Sequence, residues 1–138
     1  MALDMGIGNT QGGQRELRVL AVDDDSGVRL LIADVLREAS YRVLTASDGA
    51  EAMDILEAEP VDVLITDYHM PRVNGLELIR WSQERLPRLG TIMMTGDPRE
   101  ALATEAYKFG THRILLKPFP FEHLLLLVEE LGRAALAA

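Results

Sequence analysis

The feature that most constrains this chain is an alternation, five times over, of short apolar runs with amphipathic segments. The runs Leu17–Val22, Tyr41–Thr45, Val61–Thr66, Gly90–Thr95 and Arg113–Leu116 are of strand length and lean toward β-favouring residues. Between them, apolar residues recur at helical spacing: Val28, Leu31, Ile32, Val35 and Leu36, then Met53, Ile55 and Leu56, then Leu76, Leu78, Ile79 and Leu86. Ser26 is placed to cap the first helix, Asp48-Gly49 opens the second, and Pro60 stops it. Asp97-Pro98 opens a fourth helix expected to end near Gly110, and Phe121–Ala138 forms the last. Strands that are apolar throughout, rather than alternating, are buried on both faces. The expected fold is therefore α/β: one doubly wound, five-stranded parallel sheet with helices on both sides. Right-handed crossovers leave few strand orders open.

At 138 residues the chain is long enough for one domain that buries about two-thirds of its unfolded surface. Residues 1–15, rich in Gly, Gln and Asn and without period, are expected to be a flexible lead-in. The domain is expected over 16–138, which leaves no room here for an output domain: the chain is expected either to stand alone or to be a piece of a longer one. The lack of cysteine excludes a disulfide framework, a zinc–thiolate site and a thiol nucleophile. A net charge of −8 argues against direct binding of nucleic acid or of an anionic membrane. The longest apolar run, Leu124–Val128, is far too short for a membrane span, and residues 1–14 lack the pattern of a signal peptide. A cytoplasmic location is expected.

In open parallel sheets, ligands bind outside the carboxyl ends of the strands. Asp23, Asp24 and Asp25 follow the first run, Asp67 the third, Thr95 ends the fourth, and Lys117 follows the fifth. Singly, each aspartate is as well explained by a helix cap or a turn. If the first and third strands are neighbours, however, Asp23, Asp24 and Asp67 are forced together. Such carboxylates raise one another's pKa unless a cation neutralises them, and their hard oxygen donors suit Mg²⁺. Of the fourteen basic residues only Lys108 and Lys117 are lysines, so a lysine at a strand end stands out as a compact point charge. Together these groups describe a phosphoryl-transfer site: a carboxylate nucleophile, Mg²⁺ and Lys117 to neutralise charge, and Thr95 to donate a hydrogen bond. No P-loop is present.

The segments RVLAVDDDSGVRLLI, VDVLITDYHMPRVNGLELI, IMMTGD and ILLKPF, in that order, resemble the receiver domain of bacterial two-component response regulators. The resemblance covers about Leu17–Leu131 and implies the flavodoxin-like (βα)₅ fold with strand order 2-1-3-4-5. It implies that Asp67 is the phosphoacceptor, served by the phosphohistidine of a sensor histidine kinase or histidine phosphotransfer protein. It further implies that Asp23, Asp24 and Asp67, with the backbone carbonyl of His69, hold Mg²⁺. Thr95 resembles the switch hydroxyl and Lys117 the motif lysine, with the Lys117–Pro118 bond usually cis. His69 and Asp97 stand where such domains tune the lifetime of the phosphate.

A signalling switch is thus expected rather than an enzyme, with only self-catalysed phosphotransfer and autodephosphorylation. Its partner would be a downstream protein, with a homodimer through the face of the fourth helix, fifth strand and last helix as one form. One departure is Ile114, where the family usually has an aromatic that swings inward when the threonine moves. Leu125 and Leu126 look surplus to the buried stripe Leu124, Leu127, Val128 and Leu131 of the last helix. The competing readings are a receiver-like module that is never phosphorylated and a phosphatase with an aspartyl-phosphate intermediate. Against the second, His69 stands where haloacid-dehalogenase-like enzymes place a second aspartate.

Overall fold

The computed structural model describes residues 16–101 and 107–137. Strand and helix alternate along the chain: β1 (Arg18–Val22), α1 (Ser26–Glu38), β2 (Arg42–Ala46), α2 (Gly49–Ala58), β3 (Val63–Asp67), α3 (Gly75–Arg85), β4 (Gly90–Thr95), α4 (Pro98–Ala101), β5 (Arg113–Leu116) and α5 (Phe121–Ala137). The strands form one parallel sheet in the order 2-1-3-4-5, the doubly wound arrangement expected. The expected lead-in, residues 1–15, lies outside the described residues.

Period-two alternation sends successive strand residues to opposite faces, and each face has its own core. Val19, Ala21, Val63, Ile65, Ile92, Met94 and Leu115 meet Ile32 and Leu36 of α1 and Leu124, Val128 and Leu131 of α5. Leu20, Val22, Leu64 and Met93 meet Ala52 and Leu56 of α2 and Leu78 and Ile79 of α3. Both β3 and β4 are buried along their whole length, so their sequences carry no polar alternation. In α5, Leu125 packs against the first core as a half-buried residue, whereas Leu126 is 64% exposed.

Several boundaries differ from the sequence reading for local reasons. The cap of α1 is Asp25, not Ser26: the Asp25 carboxylate accepts the Gly27 N–H at 2.9 Å and the Val28 N–H at 3.2 Å, and Ser26 is the first helical residue. A carboxylate at this position also meets the positive end of the helix dipole. Strand β3 starts and ends later than expected, and Asp67 is its last residue rather than the first loop residue. The described part of α4 runs from Pro98 to Ala101, Tyr107 and Lys108 are helical, and the chain turns at Gly110 with φ 108°. Lys117–Pro118 is cis.

Helix α1 ends in a Schellman motif built on a serine. Ser40 has φ 73°, its N–H donates to Arg37 O at 2.9 Å, and the Tyr41 N–H donates to Leu36 O at 3.2 Å. Left-handed backbone costs an L-residue about 1–2 kcal/mol, of which glycine's extra unfolded-state entropy returns part. The Ser40→Gly protein is expected to be more stable by about 0.5–1 kcal/mol. A thermal melt in which Tm fails to rise would refute that strain.

Candidate functional site

The register of the sheet builds the site. Val22 pairs with Thr66 across β1 and β3, so the next residues along, Asp23 and Asp67, emerge side by side at the carboxyl ends. Asp67 pairs with Met94, and Thr95 with Leu116, which brings Thr95 and then Lys117 onto the same rim. The residues singled out in sequence therefore converge: carboxylate oxygens of Asp23, Asp24 and Asp67 all lie within 4.8 Å of one another. Asp23 and Asp67 are buried, at 2% and 8% exposure, while Asp24 faces solvent. Oxygen donors of this kind, part buried and part open to water, fit a hard divalent cation that keeps some of its waters.

Lys117 leans into this cluster. Its Nζ lies 3.0 Å from Asp67 Oδ1 and 3.4 Å from Asp23 Oδ2. Burial alone would lower the Lys117 pKa, but the two carboxylates together outweigh it and hold the ammonium above its ordinary value. For Asp23, burial dominates and pushes its carboxyl up, against the opposing pull of the Asp25 N–H and of Lys117. That N–H donates to Asp23 Oδ1 at 2.9 Å. The charges are thus only partly balanced: one ammonium stands against three carboxylates.

Thr95 is fully buried, and its Oγ1 accepts the Asp97 N–H at 3.1 Å. Its carbonyl accepts the Lys117 N–H at 2.7 Å, which ties the two rim residues through the backbone. Asp97 is held below the usual carboxylate range by its hydrogen bonds to Arg99. His69 is exposed at the lip, its ring 4.8 Å from that of Tyr68, and lines a shallow cleft of about 420 Å³ with Asp24, Met70, Pro71 and Asn74. Ile114, half-buried, packs against the core on the face of the sheet that α2 and α3 cover.

Two contacts that support the site were not foreseen. Gly75 opens α3 hard against the phosphoacceptor candidate: a Cβ built there would stand 2.1 Å from the Asp67 carbonyl oxygen. The Gly75 N–H donates to Tyr68 O at 2.8 Å, and Asn74 with Glu77 closes a capping box over the same turn. The pattern N-x-x-E was legible in the sequence; the close approach was not, because only the packed helix creates it. Arg29, one turn into α1, donates from Nη1 to the Asp23 carbonyl oxygen at 2.7 Å.

This fold carries an acidic rim with a lysine beside it, and comparison with known proteins identifies its family. Residues 19–129 match the response regulator receiver domain, and the chain belongs to that family. It is 35% identical over 121 residues to the response regulator receiver protein CpdR of Brucella abortus (strain 2308), covering 88% of this chain and 98% of that protein. It is 36% identical over 111 residues to the DNA-binding transcriptional regulator NtrC of Escherichia coli (strain K12), covering 80% of this chain. It spans only about a quarter, 24%, of the length of NtrC. Among solved structures, the response regulator TrrA of Thermotoga maritima, crystallised with Mg²⁺–BeF, superposes with a TM-score of 0.74 at 29% identity, covering 83% of this chain and 98% of TrrA.

Two outcomes follow from the geometry. Gly75→Ala must displace either α3 or the Asp67 backbone and is expected to destabilise the protein by about 1–3 kcal/mol, read from chemical denaturation. Because the folded-state pKa of Asp23 is raised, its ionisation weakens the fold, and stability is lost as pH rises through that value. Asp23→Asn is therefore expected to melt higher than the parent at pH 7 without divalent metal. The gain should vanish on acidification below about pH 4, where the carboxylate is protonated in both states. A gain that persisted there would rule out the charge explanation.

Proposed function

We propose that this receiver domain accepts a phosphoryl group on Asp67 from the phosphohistidine of a sensor histidine kinase or histidine phosphotransfer protein. The new charge would then switch its contacts with a downstream protein. The observation that carries the reading is the Asp67 carboxylate at the end of a central strand, 3.0 Å from the Lys117 ammonium and within 4.8 Å of two further carboxylates. In the transfer step an Asp67 carboxylate oxygen attacks phosphorus, the phosphorus–nitrogen bond of the donor breaks, and its electron pair leaves with the imidazole. Autodephosphorylation is attack of water on the same phosphorus, which breaks the bond to Asp67 and releases inorganic phosphate. Neither step needs a general acid or base from the protein so much as positioning and charge.

Asp23, Asp24 and Asp67 are the side chains that would hold Mg²⁺, with the His69 backbone carbonyl as a fourth ligand. When bound, the ion neutralises charge on the transferring phosphoryl oxygens. Lys117 is within reach of Asp67 and so of a phosphoryl group on it, and Thr95 Oγ1 at the next strand end offers a hydroxyl. In this reading the domain acts in the cytoplasm and is no enzyme beyond its self-catalysed steps. No helix among the described residues is long and apolar enough to cross a membrane. Leu116 of β5 and Leu126 of α5, 41% and 64% exposed, favour the α4–β5–α5 face for a homodimer or target.

Incubation with Mg²⁺ and acetyl phosphate, followed by intact mass measurement, is expected to show one phosphoryl adduct that Asp67→Asn abolishes. An adduct that survives Asp67→Asn would move the acceptor elsewhere. No adduct, with Mg²⁺ bound and the fold intact, would favour a receiver-like interaction module that is never phosphorylated.

A further inference from the structure

We propose that Arg29 is a positioning residue for the acidic pair: through the Asp23 carbonyl it sets where the Asp24 carboxylate stands. The inference rests on the Mg²⁺ site described above and extends it to a residue on α1.

Each backbone bond around Asp23 has its own anchor. On one side the Asp23 N–H donates to Ala46 O at 3.3 Å, continuing the pairing of β1 with β2. On the other side the Asp23 carbonyl oxygen accepts from Arg29 Nη1 at 2.7 Å. Because the peptide is planar, fixing that oxygen fixes the plane of the Asp23–Asp24 link and hence the direction in which Asp24 leaves it. Asp24 needs such help. It is exposed, whereas Asp23 is held by the Asp25 N–H and Lys117, and Asp25 is spent on capping α1. Its carboxylate nevertheless lies within 4.8 Å of those of Asp23 and Asp67.

Arg29 reaches the strand end because of its place on the helix. Its own N–H donates to Asp25 O at 3.0 Å as part of the first turn of α1. Helical side chains lean toward the N-terminus, so the half-buried guanidinium runs back along the helix to the loop it left six residues earlier. A charged donor on a carbonyl makes a short, strong hydrogen bond, and Arg29 Nη1 is a fixed point for a loop of three consecutive aspartates.

Positioning and plain charge predict opposite signs. If Arg29 acts only as a nearby cation, its removal strengthens Mg²⁺ binding. If it positions Asp24, Arg29→Met weakens Mg²⁺ binding by roughly tenfold, as loss of a supporting contact does at metal sites. Arg29→Lys, which keeps a charged donor, should recover much of that loss. Calorimetric titration of the protein with Mg²⁺ alone reads the affinity. With acetyl phosphate, the rate defect of Arg29→Met should disappear at saturating Mg²⁺, which a general loss of structure would not allow. In metal-free protein, amide exchange at Asp25, whose N–H bonds Asp23 Oδ1, should quicken in Arg29→Met while amides of β3 and β4 stay protected. Unchanged or tighter Mg²⁺ binding by Arg29→Met overturns the proposal. So does unchanged Asp25 exchange, a result that also decides it if the parent protein binds no Mg²⁺. In that last case the failure of the metal site itself is separately visible in the parent.

Discussion

Everything at this rim depends on an incomplete charge balance. Carboxylates within 4.8 Å of one another, two of them buried, repel, and the Lys117 ammonium is the cation that ion-pairs with them among the described residues. Burial takes the Asp23 carboxylate out of the water that would stabilise its charge, and repulsion from Asp67 adds to this, which is why Asp23 holds its proton more tightly than a free aspartic acid. The sheet therefore gives up part of its stability to this repulsion, which a cation held at the rim would relieve.

The imbalance persists because the backbone beneath it cannot relax. Asp23 follows β1 and Asp67 ends β3, adjacent parallel strands whose residues are buried except for the half-buried Arg18. Letting them separate would break ladder hydrogen bonds and expose Val22 and Thr66. Gly75 closes the other exit: with α3 seated against the Asp67 carbonyl, the strand end cannot shift toward the loop without a clash. Scaffold and chemistry are thus separated along β1, β3 and β4, buried below and polar at the tip.

Much of this was legible in the sequence because it rests on strong, local signals. Continuous apolar strands, each ending in a charged or hydroxylated residue, pointed both to a parallel sheet and to one rim, and Asp23, Asp24, Asp67, Thr95 and Lys117 do meet there. What escaped depends on three-dimensional packing or on close local competition. Asp25 and Ser26 are both good caps, and only the backbone shows the carboxylate winning. Asp67 reads as a loop residue by type, yet it is paired with Met94 at the end of β3, because the neighbouring strand extends far enough to hold it. Arg29 sits among ordinary helix-surface residues; its reach back to the Asp23 carbonyl follows from side-chain direction, which apolar periodicity does not record.

The route by which a change at Asp67 leaves the site is constrained by two further facts. Thr95 Oγ1 holds the Asp97 N–H, so movement of that hydroxyl toward Asp67 must release or drag the start of α4. On the next strand Ile114 pairs with Met93 and packs into the core, and a branched aliphatic has no ring to swing between an inner and an outer rotamer. In the proposed switch the displacement would be taken up by backbone between Thr95 and Pro98. There the Asp97 carboxylate is already engaged, by the Arg99 N–H at 2.9 Å and by its guanidinium at 2.8 Å. The proposed switch would accordingly act on the loop from β4 into α4, where these contacts now hold Asp97.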